Sequence, residues 1–492
     1  MLIKFAEYLP DLPAFGNAGA LQAKNVLPAG DSYQPWPRLV VYSSALSARC
    51  QGAVAARDND GNTFNFAGDV SKLYKLLNAT YSDVSVGGGY NTAAEECWYF
   101  SQFGNRFLAT NFADAIQSWV LGTSSAFANL AATAPKARYI TSMRGFVVVG
   151  NTFDAVDGNV PYRVRWSAYG DPTASWNISA TTQADYNDLD SSRGWVQQVV
   201  GGEYGVIFQE RAITRMEYVG SPIVFQFREV ESGRGTPAPG SVVKVGNWIA
   251  YLGIDGFYIF DGNQSVPIGV NKIDKTFWAE VDLSYLNRIC SCVDLDKQII
   301  YWSYPATGNT AGRCNKVLAY NYSPNAAMRW SFAEIETETL FISVSEGYTL
   351  DGLDAVSATL EGLPNSLDWR GWTGSNAILT AFDQNHKQAN FTGTALDAVI
   401  DTAEAQITPG YRTDVTLLRP MVDGSGTVTV QVGTRNNLSD TVAFGAAVSV
   451  NASGFCPVRS NARYHRARVN ISGGFNDAQG IDLAKFTKAG MR

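Results

Sequence analysis

The sequence predicts an all-β protein, an irregular β-propeller followed by a C-terminal β-sandwich-like domain, with a few short helices. Three observations support this prediction: a composition rich in glycine and aromatic residues, a hairpin unit that recurs along the chain, and alternation of apolar and polar residues near the C-terminus. The 492 residues include 46 Gly, 25 Phe, 23 Tyr and 12 Trp. Aromatic side chains suit pleated sheets and glycine suits tight turns, so this composition favours strands over helices.

The recurring unit is a short apolar strand, a turn containing Gly, Asn or Asp, and a second strand rich in aromatic residues. It occurs five or six times at intervals of about 40 to 60 residues, which is the period of a propeller blade. A ring of such sheets lets each blade pack on its neighbours and leaves few free edges, and five to seven blades fit the length. The clearest turns lie at 104–105, 144–145, 204–205, 246–247 and 296–297, with a weaker copy near Leu340.

Changes in amino-acid composition along the chain divide it into three segments. Residues 1–35 are rich in proline, which predicts an extended N-terminal arm that gains order by docking on something else. Residues 36–372 contain the hairpin repeats and are predicted to form the propeller-like domain. From residue 373 to 492 Ala, Thr, Asn and Asp become more frequent, and alternation is clean at 427–432 and 464–471, which predicts a separate β-sandwich-like domain.

Two short helices are expected to interrupt the strands. Asp69 is a candidate N-cap for a helix over 70–77, where three leucines form one apolar stripe. Asp274 is a candidate N-cap for a helix over 275–281, with Phe277 and Trp278 facing inward. Aspartate favours this position because its carboxylate accepts hydrogen bonds from the free N–H groups of the first turn.

Charge and composition exclude several classes of protein. Hydrophobic residues make up 46% and charged residues 17%, so the chain can bury a core and is not intrinsically disordered. There are 38 basic and 45 acidic residues, a net charge of −7, which predicts no general attraction to nucleic acid or to an anionic membrane. No window approaches 18 apolar residues and the start does not resemble a secretion signal, so neither a membrane span nor that route of secretion is expected.

The sequence contains few residues of the types that catalysis or metal binding needs. The two histidines, His386 and His465, are separated by at least one hairpin, so neither a Ser-His-Asp relay nor a multi-histidine metal site is expected. The six cysteines include no CxxC pair, and reduced thiols in a cytosolically made protein are predicted. We predict no catalytic, cofactor-binding or metal-binding residues, no cofactor, and no enzymatic activity.

One stretch of sequence resembles a known family. Residues 163–173 read RVRWSAYGDPT and are followed by Trp176, and residues 201–211 read GGEYGVIFQER. Together with 218–222, 225–227 and 253–260, they resemble the tail nozzle proteins of short-tailed bacteriophages, also called tail tubular protein B-like or packaged-DNA stabilisation proteins. The similarity spans about residues 35 to 355.

The resemblance implies a function, a set of partners and a location. A homo-hexamer would lie below the portal and the tail adaptor ring, retain the packaged genome and conduct it on infection. Further implied partners are tail fibres or spikes, together with double-stranded DNA that passes without sequence-specific binding. The protein would be assembled in the host cytoplasm and reside in the virion tail. The C-terminal domain would either dock fibres or spikes or close the ring.

Four acidic loop residues are the predicted lining or gate of such a channel, because an acidic lumen repels phosphate and lets DNA slide. These residues are Asp154, Asp157, Asp255 and Asp261.

The alternative function is a glycan-binding or glycan-cleaving β-propeller that acts at a host cell surface. It predicts a concave central pocket with convergent carboxylates or arginines, since glycosidases need only two carboxylates. Close acid pairs are unavoidable among 45 acids, and tryptophans at strand ends either stack on sugars or fill the gaps between blades. The candidates are Glu203 with Glu210, Glu229 with Glu231, Asp351 with Asp354, and Trp166, Trp176, Trp369 and Trp372.

Overall fold

The computed structural model describes residues 1–345, 357, 359–362 and 376–490. Within these residues the chain consists mainly of strands, arranged as seven four-stranded blades in a ring and a two-sheet sandwich. The all-β class and the combination of a propeller with a sandwich are therefore confirmed. Asp351, Asp354, Trp369 and Trp372 lie outside the described residues, as does the predicted domain boundary at 372/373.

Five strands precede the first complete blade. They are β1 (Leu2–Lys4), β2 (Gln22–Lys24), β3 (Val26–Ala29), β4 (Ser32–Pro35) and β5 (Pro37–Ala45). All but β5 join the sheets of the sandwich. The N-terminal arm therefore docks on the chain's own C-terminal half and not on something else, because its strands pair with strands of the sandwich.

Each blade is an antiparallel meander in which neighbouring strands follow one another in sequence. Blade 1 contains β6 (Gly52–Arg57), β7 (Thr63–Gly68), β8 (Leu73–Leu77) and β9 (Thr80–Asp83). Blade 2 contains β10 (Tyr99–Phe103), β11 (Arg106–Thr110), β12 (Gln117–Val120) and β13 (Ala128–Asn129). Blade 3 contains β14 (Lys136–Met143), β15 (Phe146–Asp154), β16 (Gly158–Trp166) and β17 (Asp185–Asp188).

The next three blades continue the pattern, and the five turns predicted from the hairpin unit all join paired strands. Blade 4 contains β18 (Val196–Val200), β19 (Gly205–Gln209), β20 (Ala212–Gly220) and β21 (Val224–Ser232). Blade 5 contains β22 (Val243–Val245), β23 (Trp248–Leu252), β24 (Phe257–Phe260) and β25 (Ser265–Pro267). Blade 6 contains β26 (Cys290–Asp294), β27 (Ile299–Tyr304), β28 (Cys314–Asn321) and β29 (Trp330–Thr337).

The seventh blade closes the ring with a strand from the N-terminal part of the chain. It contains β30 (Thr339–Val344), β31 (Ala377–Phe382) and β32 (Lys387–Ala395), and its outermost strand is β5, where Val40 pairs with Asn390. Strands β31 and β32 thus belong to the propeller, although their position after residue 373 had assigned them to the C-terminal domain. The difference arises because their sheet partner lies about 350 residues earlier in the sequence, beyond the reach of local patterns.

The sandwich is built from the last eight strands and from the N-terminal strands. One sheet has the order β3-β4-β40-β34-β38, with β1 on β40; the other runs from blade 6 through β2 to β33, β39, β35 and β36. Because β2 pairs with both β29 and β33, the sandwich is continuous with blade 6. The strands are β33 (Ala398–Asp401), β34 (Thr413–Gly424), β35 (Thr427–Arg435), β36 (Ala443–Phe444), β37 (Val448–Ser449), β38 (Cys456–Ala462), β39 (Tyr464–Ser472) and β40 (Phe475–Lys488).

A single apolar core joins the sandwich to blades 5 and 6. Phe257, Trp302 and Trp330 are buried at one end of this core, and Val430 and Ile481 at the other. The two indoles lie 6.0 Å apart in a stacked arrangement. Shared burial of this kind makes the sandwich a continuation of the propeller rather than the separate unit that the sequence suggested.

Of the two predicted helices, one forms and one does not. Helix α1 (Asp274–Glu280) is present with Phe277 buried, as predicted. The predicted N-cap is wrong: Asp274 is the first helical residue, and its carboxylate accepts the N–H of Phe257 instead of one in the helix. The segment after Asp69 instead forms β8, and the Asp69 carboxylate accepts hydrogen bonds from the N–H groups of Ser71 and Lys72 in a turn. Both faces of β8 pack in the core, which produces an apolar run that resembles a helical stripe. Short 3-10 helices span Ser191–Arg193, Pro239–Ser241, Leu283–Arg288 and Leu360–Gly362.

All six cysteines lie in the described part of the chain, and each is a free thiol. Cys290 and Cys292 lie on the same strand, β26. Among the described residues, no helix combines the length and apolar character needed to cross a bilayer.

Candidate functional site

The first strands of the blades lie around the propeller axis. Contacts between neighbouring first strands join β30 to β6, β6 to β10, β10 to β14, β14 to β18, β22 to β26 and β26 to β30. Turns alternate between the two ends of an antiparallel meander. The connections between blades and the turns between second and third strands therefore lie at one end, which we call the entry face. The turns between first and second strands, and between third and fourth strands, lie at the opposite end, the exit face.

The entry face contains a concave site on the axis. A cavity of about 250 Å³ is lined where the first strands of blades 1, 2, 5, 6 and 7 begin, and by Gln198 of blade 4. A neighbouring cavity of about 210 Å³ shares Cys97, Tyr99 and Asn287 with it. We call the two together the axial depression.

Two arginine–glutamate pairs cross the axial depression between blades. Arg138 of blade 3 holds Glu96 through Nε and Nη2, both bonded to Oε1 at 2.9 and 2.8 Å. Arg288, before blade 6, holds Glu95 through Nη2 at 2.8 Å. The hydrogen bonds from Arg288 lower the pKa of Glu95, so this carboxylate stays ionised at neutral pH. These pairs fix the loop between blades 1 and 2 against blades 3 and 6.

An exposed indole lies at the rim of the axial depression. Trp195 is 50% exposed, and its ring lies 5.9 Å from the Arg138 guanidinium carbon. The same guanidinium carbon lies 3.9 Å from the centre of the Phe112 ring. Arg138 is thus held by a carboxylate and an aromatic ring while Trp195 stays open to solvent.

A third arginine, Arg49, also lines the axial depression. Its Nη2 donates a hydrogen bond to the main-chain oxygen of Ala94 at 2.7 Å. It forms no ion pair with any carboxylate in the described part of the chain, in contrast to Arg138 and Arg288.

The thiols at this site are protonated at neutral pH. Burial raises the pKa of Cys97 to about 11 and that of Cys290 well above its ordinary value. A thiol is a much weaker nucleophile and metal ligand than a thiolate. The described residues contain no group of three or more His, Cys, Asp or Glu side chains that is arranged to hold a metal ion.

Glu338 connects the axial depression to one of the two histidines. Its buried carboxylate accepts the Cys50 N–H at 3.0 Å, and its other oxygen lies 2.8 Å from His386 Nδ1. Burial raises the pKa of Glu338. The second histidine, His465, is buried in the sandwich, so the two histidines are not brought together.

The four predicted channel acids lie on turns away from the axial depression. Asp154, Asp157 and Asp255 are at the entry face, on turns between second and third strands, and Asp261 is at the exit face. Asp154 lies 3.3 Å from Arg165, and Asp255 accepts a hydrogen bond from the hydroxyl of Tyr258 at 2.7 Å. None of the four lines the propeller's own axis, and their lining of a channel in an assembly stays a prediction.

The acid pairs considered for glycoside hydrolysis do not converge where they are described. Glu203 lies on an exit-face turn and Glu210 on an entry-face turn of the same blade. Glu229 and Glu231 lie on one strand and pair with Arg193 and Arg234, respectively.

The described tryptophans of the same set are buried between blades, which is the packing role predicted for them. Trp166 meets Phe225 of blade 4 with ring centroids 5.0 Å apart. Trp176 packs with residues of blades 2 and 3, such as Leu108 and Val149.

Sequence reasoning missed the residues that form the axial depression. Arg49, Glu95, Glu96, Arg138, Trp195 and Arg288 belong to different blades, and no local spacing relates them. One feature of the sequence indicates these residues. Most of them lie just before the first strand of a blade, and such positions meet at the axis of a propeller.

Comparisons with known proteins give fold-level likeness only. No protein-family model matches the chain, and no curated protein gives a significant match. The chain is similar to the computationally designed Ika8 protein, with a TM-score of 0.39 and 10% identity over 75% of this chain and 93% of that one. For the β-propeller domain of Cps50 (Swd1) from Myceliophteria thermophila the TM-score is 0.36, with 10% identity over 61% and 92%. For YCF48 bound to D1 peptide it is 0.36, with 10% identity over 64% and 92%.

Proposed function

We propose that the chain is a structural virion protein that forms the distal tail nozzle of a short-tailed phage. In this function it retains the packaged DNA and conducts it on infection. It acts as a homo-hexamer beneath a tail adaptor ring, without enzymatic activity or a cofactor. The proposal rests on the resemblance of residues 163–173 and 201–211 to tail nozzle proteins.

The proposal is supported by the contacts that side chains of these two segments make in the structure. Arg163 holds both oxygens of Asp188 at 2.6 and 2.9 Å within blade 3. Gln209 donates hydrogen bonds to the main-chain oxygens of Asp190 and Gly194, which lie between blades 3 and 4. Arg163 therefore stabilises one blade, and Gln209 ties blade 4 to the connection that precedes it. Side chains with such structural partners support a protein whose function is to form a wall.

The same joint is reinforced at the exit face. The Nε of Arg144, on the first turn of blade 3, donates a hydrogen bond to the main-chain oxygen of Glu203 at 2.9 Å. Residue 203 belongs to the GGEYG segment of the resemblance. The first segment contributes Trp166, which packs on Phe225 of blade 4, and the second contributes residue 203, so both segments lie at the contact between these blades.

Assembly with the adaptor tests this proposal. The purified chain is mixed with the adaptor protein of the same particle and analysed by size-exclusion chromatography with light scattering. We expect a complex whose mass corresponds to a hexamer on the adaptor ring. A chain that stays monomeric with its cognate adaptor contradicts the proposal.

A second candidate, a glycan-binding propeller at a host surface, is favoured by one observation. The axial depression combines an exposed indole, Trp195, with the Glu96–Arg138 pair, and aromatic faces beside charged groups are a common way to hold sugars. A glycan array with the wild-type chain and Trp195→Ala tests it. Binding that the substitution abolishes supports this candidate, and a blank array removes it.

A further inference from the structure

Arg49 differs from the other arginines of the axial depression in its charge balance. Arg138 and Arg288 each have a glutamate at 2.8 Å. Arg49 donates to one main-chain oxygen, at Ala94, and has no carboxylate partner among the described residues. A guanidinium has five N–H donors and is always charged in proteins. Most of the hydrogen-bonding capacity of Arg49 is therefore left for something else.

The positive charge of Arg49 lowers the pKa values of neighbouring thiols. Burial raises the pKa of Cys97, and the charge of Arg49 is the largest effect opposing that rise. The same charge acts on Cys314, which lies on a different blade. The charge also acts on the carboxylates of Glu95 and Glu338, but Arg49 forms an ion pair with neither of them, so its guanidinium keeps free donors near the axis.

The surroundings strengthen the attraction of that cation for an anion. Trp98, Tyr99 and Leu340 contribute apolar surface to the wall of the cavity. Charges interact more strongly beside a low-dielectric wall than in bulk water. Guanidinium groups match carboxylate and phosphate oxygens in a two-pronged geometry, which gives specificity as well as energy.

We propose that the axial depression binds a small ligand through a carboxylate or phosphate group held by the guanidinium of Arg49. The cavity of the axial depression that Arg49 lines has a volume of about 250 Å³, below the range of about 300 to 1,000 Å³ for drug-sized pockets, so the ligand is the size of a monosaccharide acid or a small phosphate. This inference does not depend on the nozzle function. Failure of one leaves the other intact.

Calorimetric titration of the purified full-length chain tests the inference. The probes are glucuronate, inorganic phosphate and uncharged glucose. We expect saturable binding of at least one of the two anions and much weaker binding of glucose. The anion that binds identifies the group. Absence of binding by both anions, or glucose binding as tightly as glucuronate, overturns the proposal.

Two substitutions and a matched control assign the binding to Arg49. Arg49→Ala is expected to weaken the anion about tenfold to a hundredfold, the range for a lost hydrogen bond to a charged group, and Arg49→Lys to weaken it less. Arg211→Ala is the control, because the exposed Arg211 also donates to one main-chain oxygen, that of Ser192, but does not line the axial depression. If Arg49→Ala misfolds, Arg49→Lys decides; unchanged affinity in the folded Arg49 variants contradicts the proposal.

Discussion

The carboxylate of Asp11 accepts a hydrogen bond from the main-chain N–H of Lys275 at 2.8 Å. Its second oxygen accepts the N–H and the hydroxyl of Thr276, also at 2.8 Å. Helix α1 is thus capped by the N-terminal segment and not by its own flanking residue, Ile273. This contact, together with β1 to β5, makes the first 45 residues part of both the sandwich and the propeller.

Removal of this cap is expected to destabilise the protein. Asp11→Ala leaves two N–H groups of the first helical turn without a partner, and lost caps typically cost about 1 kcal/mol. Denaturant unfolding followed by circular dichroism measures the change. Asp31→Ala is the matched control, because Asp31 has only a weak surface contact with Lys4 at 3.9 Å. Equal effects of the two substitutions contradict the capping role.

The stability of the protein is expected to depend on the planar, two-pronged guanidinium of the buried Arg163. Only 6% of the side chain is exposed, and it bridges Asp157 and Asp188. Arg163→Lys retains the charge but cannot hold both oxygens of Asp188, and we expect a loss of about 2 kcal/mol of unfolding free energy. Arg57→Lys, at the exposed end of strand β6, is expected to change the unfolding free energy by less than about 0.5 kcal/mol. A tolerated Arg163→Lys contradicts the role assigned to the motif.

A buried aspartate is expected to make stability depend on pH. Burial raises the pKa of Asp274 to about 6, and the negative charges of Asp11 and Asp255 act in the same direction. Because the folded state binds this proton more tightly than the unfolded state does, the stabilisation is complete below about pH 3.8. It is lost as the pH rises through about 6.

Asp274→Asn removes this titration. We expect the unfolding free energy of the variant, relative to wild type, to increase by about 2 to 3 kcal/mol between pH 4 and pH 7 and to stay constant above that. A constant offset from the new amide does not affect the slope. Parallel pH profiles of the two proteins contradict the raised pKa.

His465 is expected to have the opposite pH dependence. Burial lowers its pKa to about 4, and neither ring nitrogen has a hydrogen-bond partner. Its contribution to stability is therefore complete above its ordinary pKa of 6.5 and is lost as the pH falls towards 4.

His465→Leu is expected to lose less stability on acidification than wild type, by about 3 kcal/mol between pH 6.5 and pH 4. Because the contributions of Asp274 and His465 oppose each other in this range, each is visible only as a difference between variant and wild type. Chemical unfolding at a series of pH values measures both. An acid profile of His465→Leu that matches wild type contradicts the lowered pKa.

Local patterns were sufficient for the fold where a turn and its two strands are adjacent in sequence. The Gly104 and Gly246 turns were predicted correctly because glycine readily adopts the positive φ they have in the structure, 56° and 58°. The helix after Asp69 was predicted wrongly, since a carboxylate that accepts hydrogen bonds from the next residues serves a turn as well as a helix.

Pairing between strands that are far apart in the sequence was not predicted from local patterns. The partnership of β5 with β32 and of β2 with β29 joins segments more than 300 residues apart. The axial depression escaped for the same reason, because Arg49 and Arg288 meet only when the ring of blades closes. The motif at 163–173 suggested a function, whereas its side chains show a structural use.

Cryo-electron microscopy of the chain bound to its adaptor ring tests the central claim most directly. We expect six copies around a channel, with acidic turn residues such as Asp157 and Asp255 facing the lumen. Single copies without a ring, or a ring whose lumen is lined by basic side chains, would contradict it.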